Sequence, residues 1–479
     1  MKKSYSTWHL WIIWLLFIVT SLIVFYRSAS LSMTHDESAS WLYLQDNPIL
    51  PILFLKDAWG TANNHYLNSL LIQCFTAIMG DKEWVVRLPN SLSYLLYGFA
   101  SIYLIKRIFL TRGAQLMVAG FVFLNVYLID FFSLARGYGM SIAFHMVALG
   151  FLHLWLKSRK PIHLIFLFAS LTLAALSLFT HLIFFPVYTL VILGFISWSY
   201  RKRDSPFKSI DIVIPLAFTL LISLLVYVPF TSLSSNAEFL WGTSMLEESF
   251  KGLIKDSLQA RMYFGSETYG ILGVVLGLCI VLGVGFSNKS SMRNEIKNNF
   301  HLSLFFAFIL MTVGMVFSKW ILGTLYPVER KSTMYLPLIF LLLPYSIDFI
   351  KNQRITLLIG GTIFLFSLLH FTDKLEFERT REWYYDYQTK DFISIITSET
   401  QDKKAEVGMN WSFFWSAEYY LKTGHHNNIQ SFQYPDNPQE VPIHDFMIIH
   451  HKEIPRYEND YEVIKGPNIS QVSLLKKRG

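Results

Sequence analysis

Charge is what this 479-residue chain has least of: Asp, Glu, Lys and Arg together make up 16% of it, where a soluble domain carries about 25%. Cysteine is nearly absent too. Cys74 and Cys279 lie far apart, each in an apolar or amphipathic stretch, so neither a disulfide framework nor a cysteine metal motif follows. Internal repeats and low-complexity tracts are missing, which sets aside solenoids and disordered linkers. What fills the chain instead is apolar: 53% hydrophobic and 16% aromatic residues, with a mean hydropathy of +0.37. Spread over long stretches, that composition describes a polytopic membrane protein. The net charge of +7 and pI near 9.0 would suggest nucleic acid in a soluble protein. Here the excess sits in short loops between apolar segments, where it sets orientation, and nucleic acid is excluded as a partner.

A helical span needs about 20 mostly apolar residues. Eleven stretches qualify, centred on 9–26, 89–108, 114–132, 138–157, 162–180, 182–200, 209–230, 268–287, 300–319, 332–350 and 355–371. The first follows Lys2 and Lys3 and ends near Ser28-Ala29-Ser30, in the manner of a signal peptide. Its length and the spans that follow favour an uncleaved anchor. Six short basic segments fall at alternate ends of these stretches: Lys2-Lys3, Lys106/Arg107/Arg112, Lys157/Arg159/Lys160, Arg201/Lys202/Arg203/Lys208, Lys289/Arg293/Lys297 and Lys351/Arg354. All six agree with one orientation, an N-terminus in the cytoplasm. The other side receives everything long: the loop 27–88, expected to carry amphipathic helices, the loop 231–267, and the tail after Phe371. Two domains are expected, a transmembrane domain over 1–371 and a small extracytoplasmic α/β domain over 372–479. The tail opens with Trp383, Tyr384, Tyr385 and Tyr387, which suit an interfacial belt. Beyond them, β-rich runs at Val407–Met409, Phe446–Ile449 and Val472–Leu475 alternate with helical stretches such as Ser412–Leu421.

Candidate chemistry gathers on the outer side. The first outer loop begins Met33-Thr34-His35-Asp36-Glu37-Ser38, two carboxylates and a histidine suited to general-base catalysis and orientation. The same residues read equally as local structure: Thr34-x-x-Glu37 is a capping box, and Asp36 in a first helical turn is favoured by the dipole. Further along the loop, Asn64, His65 and Asn68 fall within about one helical turn and can share a face, either as a site or as a solvated surface. Arg87 precedes the second span, where snorkelling to headgroups is the alternative to binding. Arg136 and Tyr138 sit at the outer turn between the third and fourth spans, His181 between the fifth and sixth, and Arg330 with Lys331 before the tenth. Positive charge is disfavoured on this side. Several cations facing an acidic loop therefore point to an anionic headgroup, and arginine's planar fork suits phosphate.

In order and spacing these motifs resemble the GT-C superfamily of membrane glycosyltransferases, family 39-like branch, which includes protein O-mannosyltransferases and aminoarabinose transferases. The likeness rests on Asp36-Glu37 after the first span, on Asn64-His65 through Leu71, on Arg87-Leu88-Pro89, and on Ala135-Arg136-Gly137-Tyr138. It covers roughly residues 8 to 350, and the tail lies outside it. The resemblance implies a glycosyltransferase that moves a sugar from a polyprenyl-phosphate donor to an acceptor hydroxyl on the outer face, with inversion. Asp36 would be the base, Glu37 would orient the acceptor or Asp36, and Arg136, Arg330 and Lys331 would be the phosphate's counter-ions. His35, Asn64, His65, Asn68, Arg87, Tyr138 and His181 complete the expected substrate-binding set. The acceptor could be a lipid, a polysaccharide or a protein. A bacterial inner membrane, with the tail in the periplasm, follows from the same likeness. Tyr66-Leu67 stands where many relatives carry two prolines, so the acceptor pocket is expected to differ. No resident metal is expected, because no carboxylate cluster beyond Asp36-Glu37 offers itself, with Asp57 the nearest further acid in the loop. A different membrane glycan polymerase or ligase, or a lipid-linked glycan transporter, remains the alternative; a transporter calls for repeats or broken helices.

Overall fold

The computed structural model describes residues 7–46, 64–201, 208–235, 241–258, 277, 295–350, 352–401, 403–435, 443–466 and 471–479. Among these, six helices are long and apolar enough to cross a membrane: Trp8–Ser30, Gly137–Ser158, Phe179–Arg201, Ile210–Leu233, Asn298–Leu322 and Gln353–Lys374. The protein is an integral membrane protein. Ten of the eleven expected spans fall on helical segments, and the remaining one, 268–287, lies outside the described residues except at 277; Asp57 lies outside them too.

Several spans differ from uniform apolar helices, each for a local reason. The third is a bent pair, Arg112–Phe123 and Val126–Ser133, meeting at 45°. Asn125 caps the second half by accepting from the Leu128 N–H, which satisfies a donor the break would leave bare. The helix Glu83–Ile108 spans 26 residues but carries Arg87, Pro89 and Asn90 in its first two turns. Pro161–Ser177 is a short apolar helix of 17 residues that ends in a 3-10 turn at Phe179–Ile183. The expected span 332–350 is not one helix: a 3-10 turn at Glu329–Tyr335 leads into Leu336–Leu342 and then Tyr345–Asp348. Pro344 stands at that second break, where it has no N–H to continue the ladder.

Close helix crossings hold the bundle. A Cβ added at Gly113 would lie 1.8 Å from the Thr356 carbonyl oxygen, and one at Gly360 would lie 2.1 Å from that of Gly113. Only glycine permits backbones so near, and van der Waals packing of that kind drives association where lipid removes the hydrophobic advantage. Lys106, Arg107, Lys157 and Arg159 cap the end of the bundle away from Asp36.

The first loop forms two helices, His35–Asp46 and Tyr66–Met79. Beyond the last span, the C-terminal unit is an α/β sheet of five strands, β1 (Ala405–Asn410), β2 (Ile429–Tyr434), β3 (Phe446–His450), β4 (Tyr461–Lys465) and β5 (Val472–Lys477), in the order β2-β1-β3-β5-β4. β2, β1 and β3 run parallel to one another, and β5 pairs antiparallel with both β3 and β4. Helices Thr389–Thr400 and Trp411–Thr423 pack on one face. Phe392, Ile396, Val407, Phe413 and Ile448 of this unit share one buried core with Met33, Trp41 and Leu42 of the first loop. The tail is therefore docked on the acidic helix.

Candidate active site

The acidic helix starts as its sequence dictates. The Glu37 carboxylate accepts from the Thr34 N–H at 3.0 Å while the Thr34 hydroxyl accepts from the Glu37 N–H at 3.4 Å, the reciprocal pairing of a capping box. Glu37 is also the hub of a buried assembly. Its two oxygens receive Arg87 Nε and Nη2, each at 2.8 Å, and Oε1 accepts from the Ala135 N–H at 2.5 Å. Burial works to raise the Glu37 carboxyl, but the Arg87 charge and these hydrogen bonds outweigh it and hold the group below its ordinary value.

Arg87 is equally committed. Beyond Glu37 it donates to the carbonyls of Ser28, Leu31 and Ser32. All five of its N–H groups are thus used. This arginine fastens the end of the first span to the acidic helix and offers no donor to a substrate. Asn68 and Asn90 extend the scaffold: the Asn68 amide donates to the Ala135 carbonyl at 2.9 Å and accepts from Asn90 at 2.8 Å, and Asn90 Oδ1 accepts from the Met140 N–H. Together Glu37 and Asn68 grip the Ala135 peptide on both sides and set the turn that presents Arg136.

At that turn the charges meet. Asp36 Oδ2 lies 3.4 Å from Arg136 Nη2 and 3.4 Å from Arg330 Nη2. The Arg136 side chain is 1% exposed, Asp36 12% and Arg330 28%, so the carboxylate bridges a buried arginine and one that reaches the surface. The Arg330 guanidinium lies over the rings of Trp383 and Tyr138, at 5.0 and 5.9 Å, and donates to Glu382 at 2.9 Å. Glu382 accepts in turn from the Tyr127 hydroxyl at 2.6 Å.

Glu382 belongs to a strap, residues 375–388, that sequence reading passed over as an aromatic belt. The strap is tied down along its length. Asp130, paired with Arg27 under it, accepts from the Arg381 N–H, and the Arg381 guanidinium bonds Asp256 at 2.7 Å. Ser32 donates to the Tyr387 carbonyl, and the His35 N–H donates to Asp386 at 2.7 Å. Burial, with Asp36 and Glu37 nearby, pushes the Asp386 carboxyl well above the usual carboxylate range; its bonds from Ser416 and His35 only partly offset this. Burial likewise raises the Tyr385 phenol, with Asp386 and Asp36 adding to it. A sequence signal existed in the acids that flank and interrupt the aromatic run, Glu382 and Asp386.

The other expected residues divide into those near Asp36 and those elsewhere. The His35 ring bonds the Ser412 carbonyl at 3.0 Å and meets Trp411 edge-on, so it faces the C-terminal unit. The His65 ring contacts Tyr138 at 5.2 Å. Burial, then the charges of Arg136 and Arg330, keep its imidazole neutral far below the ordinary range. Asn64 accepts from the Ser69 hydroxyl, which fixes the start of the second loop helix. His181 packs on His145 and Phe184, and neither ring nitrogen has a hydrogen-bond partner among the described residues. Lys331, beside Arg330, reaches the Trp241 carbonyl at 3.2 Å. Among the described residues no group of three His, Cys, Asp or Glu gathers as metal ligands.

No protein-family model and no curated protein matches the sequence. Solved structures do match. ArnT from Cupriavidus metallidurans bound to undecaprenyl phosphate superposes with a TM-score of 0.52 at 11% identity, over 97% of both chains. The same protein in the apo state gives 0.45 at 14% identity over 97% of both chains. The archaeal oligosaccharyltransferase AglB from Archaeoglobus fulgidus, in complex with an inhibitory peptide and a dolichol-phosphate, gives 0.44 at 10% over 88% of this chain and 64% of its own. Of these three the first exceeds 0.5, and what it shows is a shared fold: this chain has the fold of that protein over nearly its whole length, C-terminal sheet included.

Proposed function

We propose that this chain of GT-C fold is a membrane glycosyltransferase that moves a sugar from a polyprenyl-phosphate donor to an acceptor hydroxyl, with Asp36 as general base. The observation that carries the reading is the division of labour between two adjacent acids. Glu37 is saturated by Arg87, Ala135 and Thr34. Asp36, one residue before it, faces Arg136 and Arg330 at the mouth of the turn. Helical geometry turns consecutive residues about 100° apart, so one acid can be a girder while its neighbour meets substrate. The GT-C architecture shared with ArnT, bound there to undecaprenyl phosphate, supports a lipid-phosphate donor for this chain too.

The geometry suggests how the step runs. A donor phosphate arriving beside Arg136 and Arg330 competes with Asp36 for both guanidinium groups. As the arginines turn to the phosphate, Asp36 is left as a carboxylate without its counter-ions, and its basicity rises. It then takes the proton of the acceptor hydroxyl. The acceptor oxygen bonds to the anomeric carbon, the carbon–phosphate oxygen bond breaks, and the polyprenyl phosphate leaves with the electron pair. A single displacement of this kind inverts the anomeric centre. Charge building on the leaving phosphate is met by the arginines, worth several kcal/mol in a water-poor site, and we invoke no resident metal. Basic bundle ends remote from Asp36 support an outer-face site, in a bacterial inner membrane with the N-terminus cytoplasmic and the C-terminal unit periplasmic.

The experiment compares surface lipids, glycans and outer-face proteins by mass spectrometry in cells lacking the gene, complemented with wild type or Asp36→Asn at equal level. A glycan restored by wild type alone supports transfer and names the acceptor. Equal restoration by Asp36→Asn sinks the base assignment and moves the lipid-linked glycan transporter or another membrane glycan enzyme forward. The bent pair at Leu124–Asn125 is the feature such a transporter would use, although its second half delivers Asp130 and leads into the Arg136 turn. Arg136→Lys keeps the charge and loses the fork; transfer should fall at least tenfold, and near-normal turnover removes Arg136 from the site.

A further inference from the structure

One buried acid near Asp36 takes no part in the proposed step. Asp386 is 1% exposed and ends the strap's 3-10 turn Tyr384–Asp386. Its two oxygens serve different parts of the chain. Oδ2 accepts from the His35 N–H and Oδ1 from the Ser416 hydroxyl, each at 2.7 Å. Ser416 is itself fully buried and lies on the helix Trp411–Thr423. Asp386 is therefore wedged between that helix and the start of the acidic one.

The His35 N–H belongs to the first turn of a helix, where donors have no intrahelical acceptor. Thr34 and Glu37 satisfy each other within the segment. The His35 donor is met instead by a carboxyl 351 residues away, at a helix end whose dipole favours an acid. Neighbouring bonds come from the same direction. The Tyr387 carbonyl accepts from the Ser32 hydroxyl and the Tyr420 hydroxyl accepts from the Met33 N–H, both at 2.8 Å. The Ser412 carbonyl accepts from the His35 ring at 3.0 Å. Strap and tail thus hold residues 32–35 from several sides, and Asp36 is the next residue. Burial keeps the Asp386 carboxyl well above the usual carboxylate range, so this cap adds little negative charge beside Asp36.

We propose that Asp386 is a positioning residue for the base: it caps the acidic helix from outside and fixes where Asp36 meets Arg136 and Arg330, a role that rests on the transferase reading. The same strap also holds the other side of that contact. Arg330, 3.4 Å from Asp36 Oδ2, donates to Glu382 four residues before Asp386. One short segment therefore sets both the carboxylate and a guanidinium that faces it. Such control matters because a misplacement of about 1 Å can cost about 100-fold in rate. What the role requires of residue 386 is an acceptor at Oδ2, not a charge. Asparagine supplies that acceptor, and its amide N–H can go to Ser416 Oγ, which has the Phe413 carbonyl at 3.2 Å for its own proton. Alanine supplies neither.

The test compares wild type, Asp386→Ala and Asp386→Asn as full chains. Cells lacking the gene report how much of the wild-type glycan each restores per folded molecule. The same proteins in phosphatidylcholine nanodiscs report amide exchange over 33–40 and binding of undecaprenyl phosphate. Asp386→Ala should exchange the His35 amide at least tenfold faster and restore at least tenfold less glycan, while binding undecaprenyl phosphate within about twofold of wild type. Asp386→Asn should match wild type in all three. Full restoration by Asp386→Ala overturns the proposal, and so does an Asp386→Asn variant no better than alanine. Transfer that falls only in step with folded yield or lipid-phosphate binding makes Asp386 a general support, and the positioning role fails. If Asp386→Ala does not accumulate, Ser416→Ala decides: it frees the Asp386 carboxyl to swing, and transfer should drop at least threefold, unchanged transfer overturning the role. Should no glycan depend on Asp36 in cells, the transferase reading fails, and Asp386 stands as a helix cap only if the exchange contrast holds.

Discussion

Two neighbouring acids show how burial assigns roles. Glu37 and Arg87 are both 0% exposed and bonded to saturation, so removing one leaves the other as a buried unpaired charge. Glu37→Gln keeps the capping geometry but strips Arg87 of its counter-ion, and the cost of breaking such a pair is about 3–5 kcal/mol. The variant should therefore yield less protein and melt at lower temperature, with transfer lost in proportion to folded protein. Asp36→Asn should be inactive when folded and melt nearer wild type than Glu37→Gln, because Arg330 keeps Glu382 as partner and Arg136 keeps its bonds to the Asp36 carbonyl and the Ser40 hydroxyl. Melting curves paired with activity per folded molecule decide between them: a stable but inactive Glu37→Gln would place that acid in the chemistry instead. The sequence showed both acids and the capping box, yet could not say which was which. Local spacing predicts Thr34 with Glu37; the choice of Arg87, fifty residues on, belongs to tertiary contact.

At the scale of elements, the strap is held partly by a charge that folding disfavours. Burial raises the Asp256 carboxyl to about 6 against the pull of Arg381, with Glu382 and Glu329 adding to the rise. The folded state thus binds this proton more tightly than the unfolded chain does. Its contribution to stability is full below the ordinary carboxylate value near 4 and is lost as pH rises through about 6, a change of about 3 kcal/mol. Wild type should accordingly lose melting temperature between pH 4.5 and 7.5 relative to Asp256→Asn, which has no such proton to release. Parallel pH profiles for the two proteins would show that Asp256 carries no such penalty. The strap was hidden from sequence reading because Trp383, Tyr384 and Tyr385 suit a membrane interface equally well. Its anchors Asp130, Asp256 and Arg330 come from three separate parts of the chain. Conversely, Asn125 capping Val126–Ser133 and Pro344 ending Leu336–Leu342 are local signals, legible in sequence though passed over within stretches that read as continuous apolar spans.

Among the described residues the molecule is a helical bundle whose first loop and tail share one core. Met33, Trp41 and Leu42 pack with Phe392, Phe413 and Ile448, and each fully buried side chain of this kind contributes about 1.5–3 kcal/mol. Ending the chain after Tyr387 should therefore expose the acidic helix, abolish transfer and make 31–46 sensitive to protease, while the bundle remains membrane-inserted. A truncated chain that stays active and resistant would show the docking to be incidental. Composition and periodicity by themselves determined that this chain is an integral membrane protein, that ten of its apolar stretches fall on helical segments, and that a small α/β unit follows them. Those features follow from averages over many residues and from neighbours three or four apart, which a linear reading sees directly. Only the tertiary structure decided that Arg87 is a girder, that Arg136 and Arg330 converge on Asp36, and that the tail closes over the site. Each of those depends on which distant segments meet. In a bundle with interchangeable apolar faces, buried charge and close glycine contacts settle that choice more than hydropathy does.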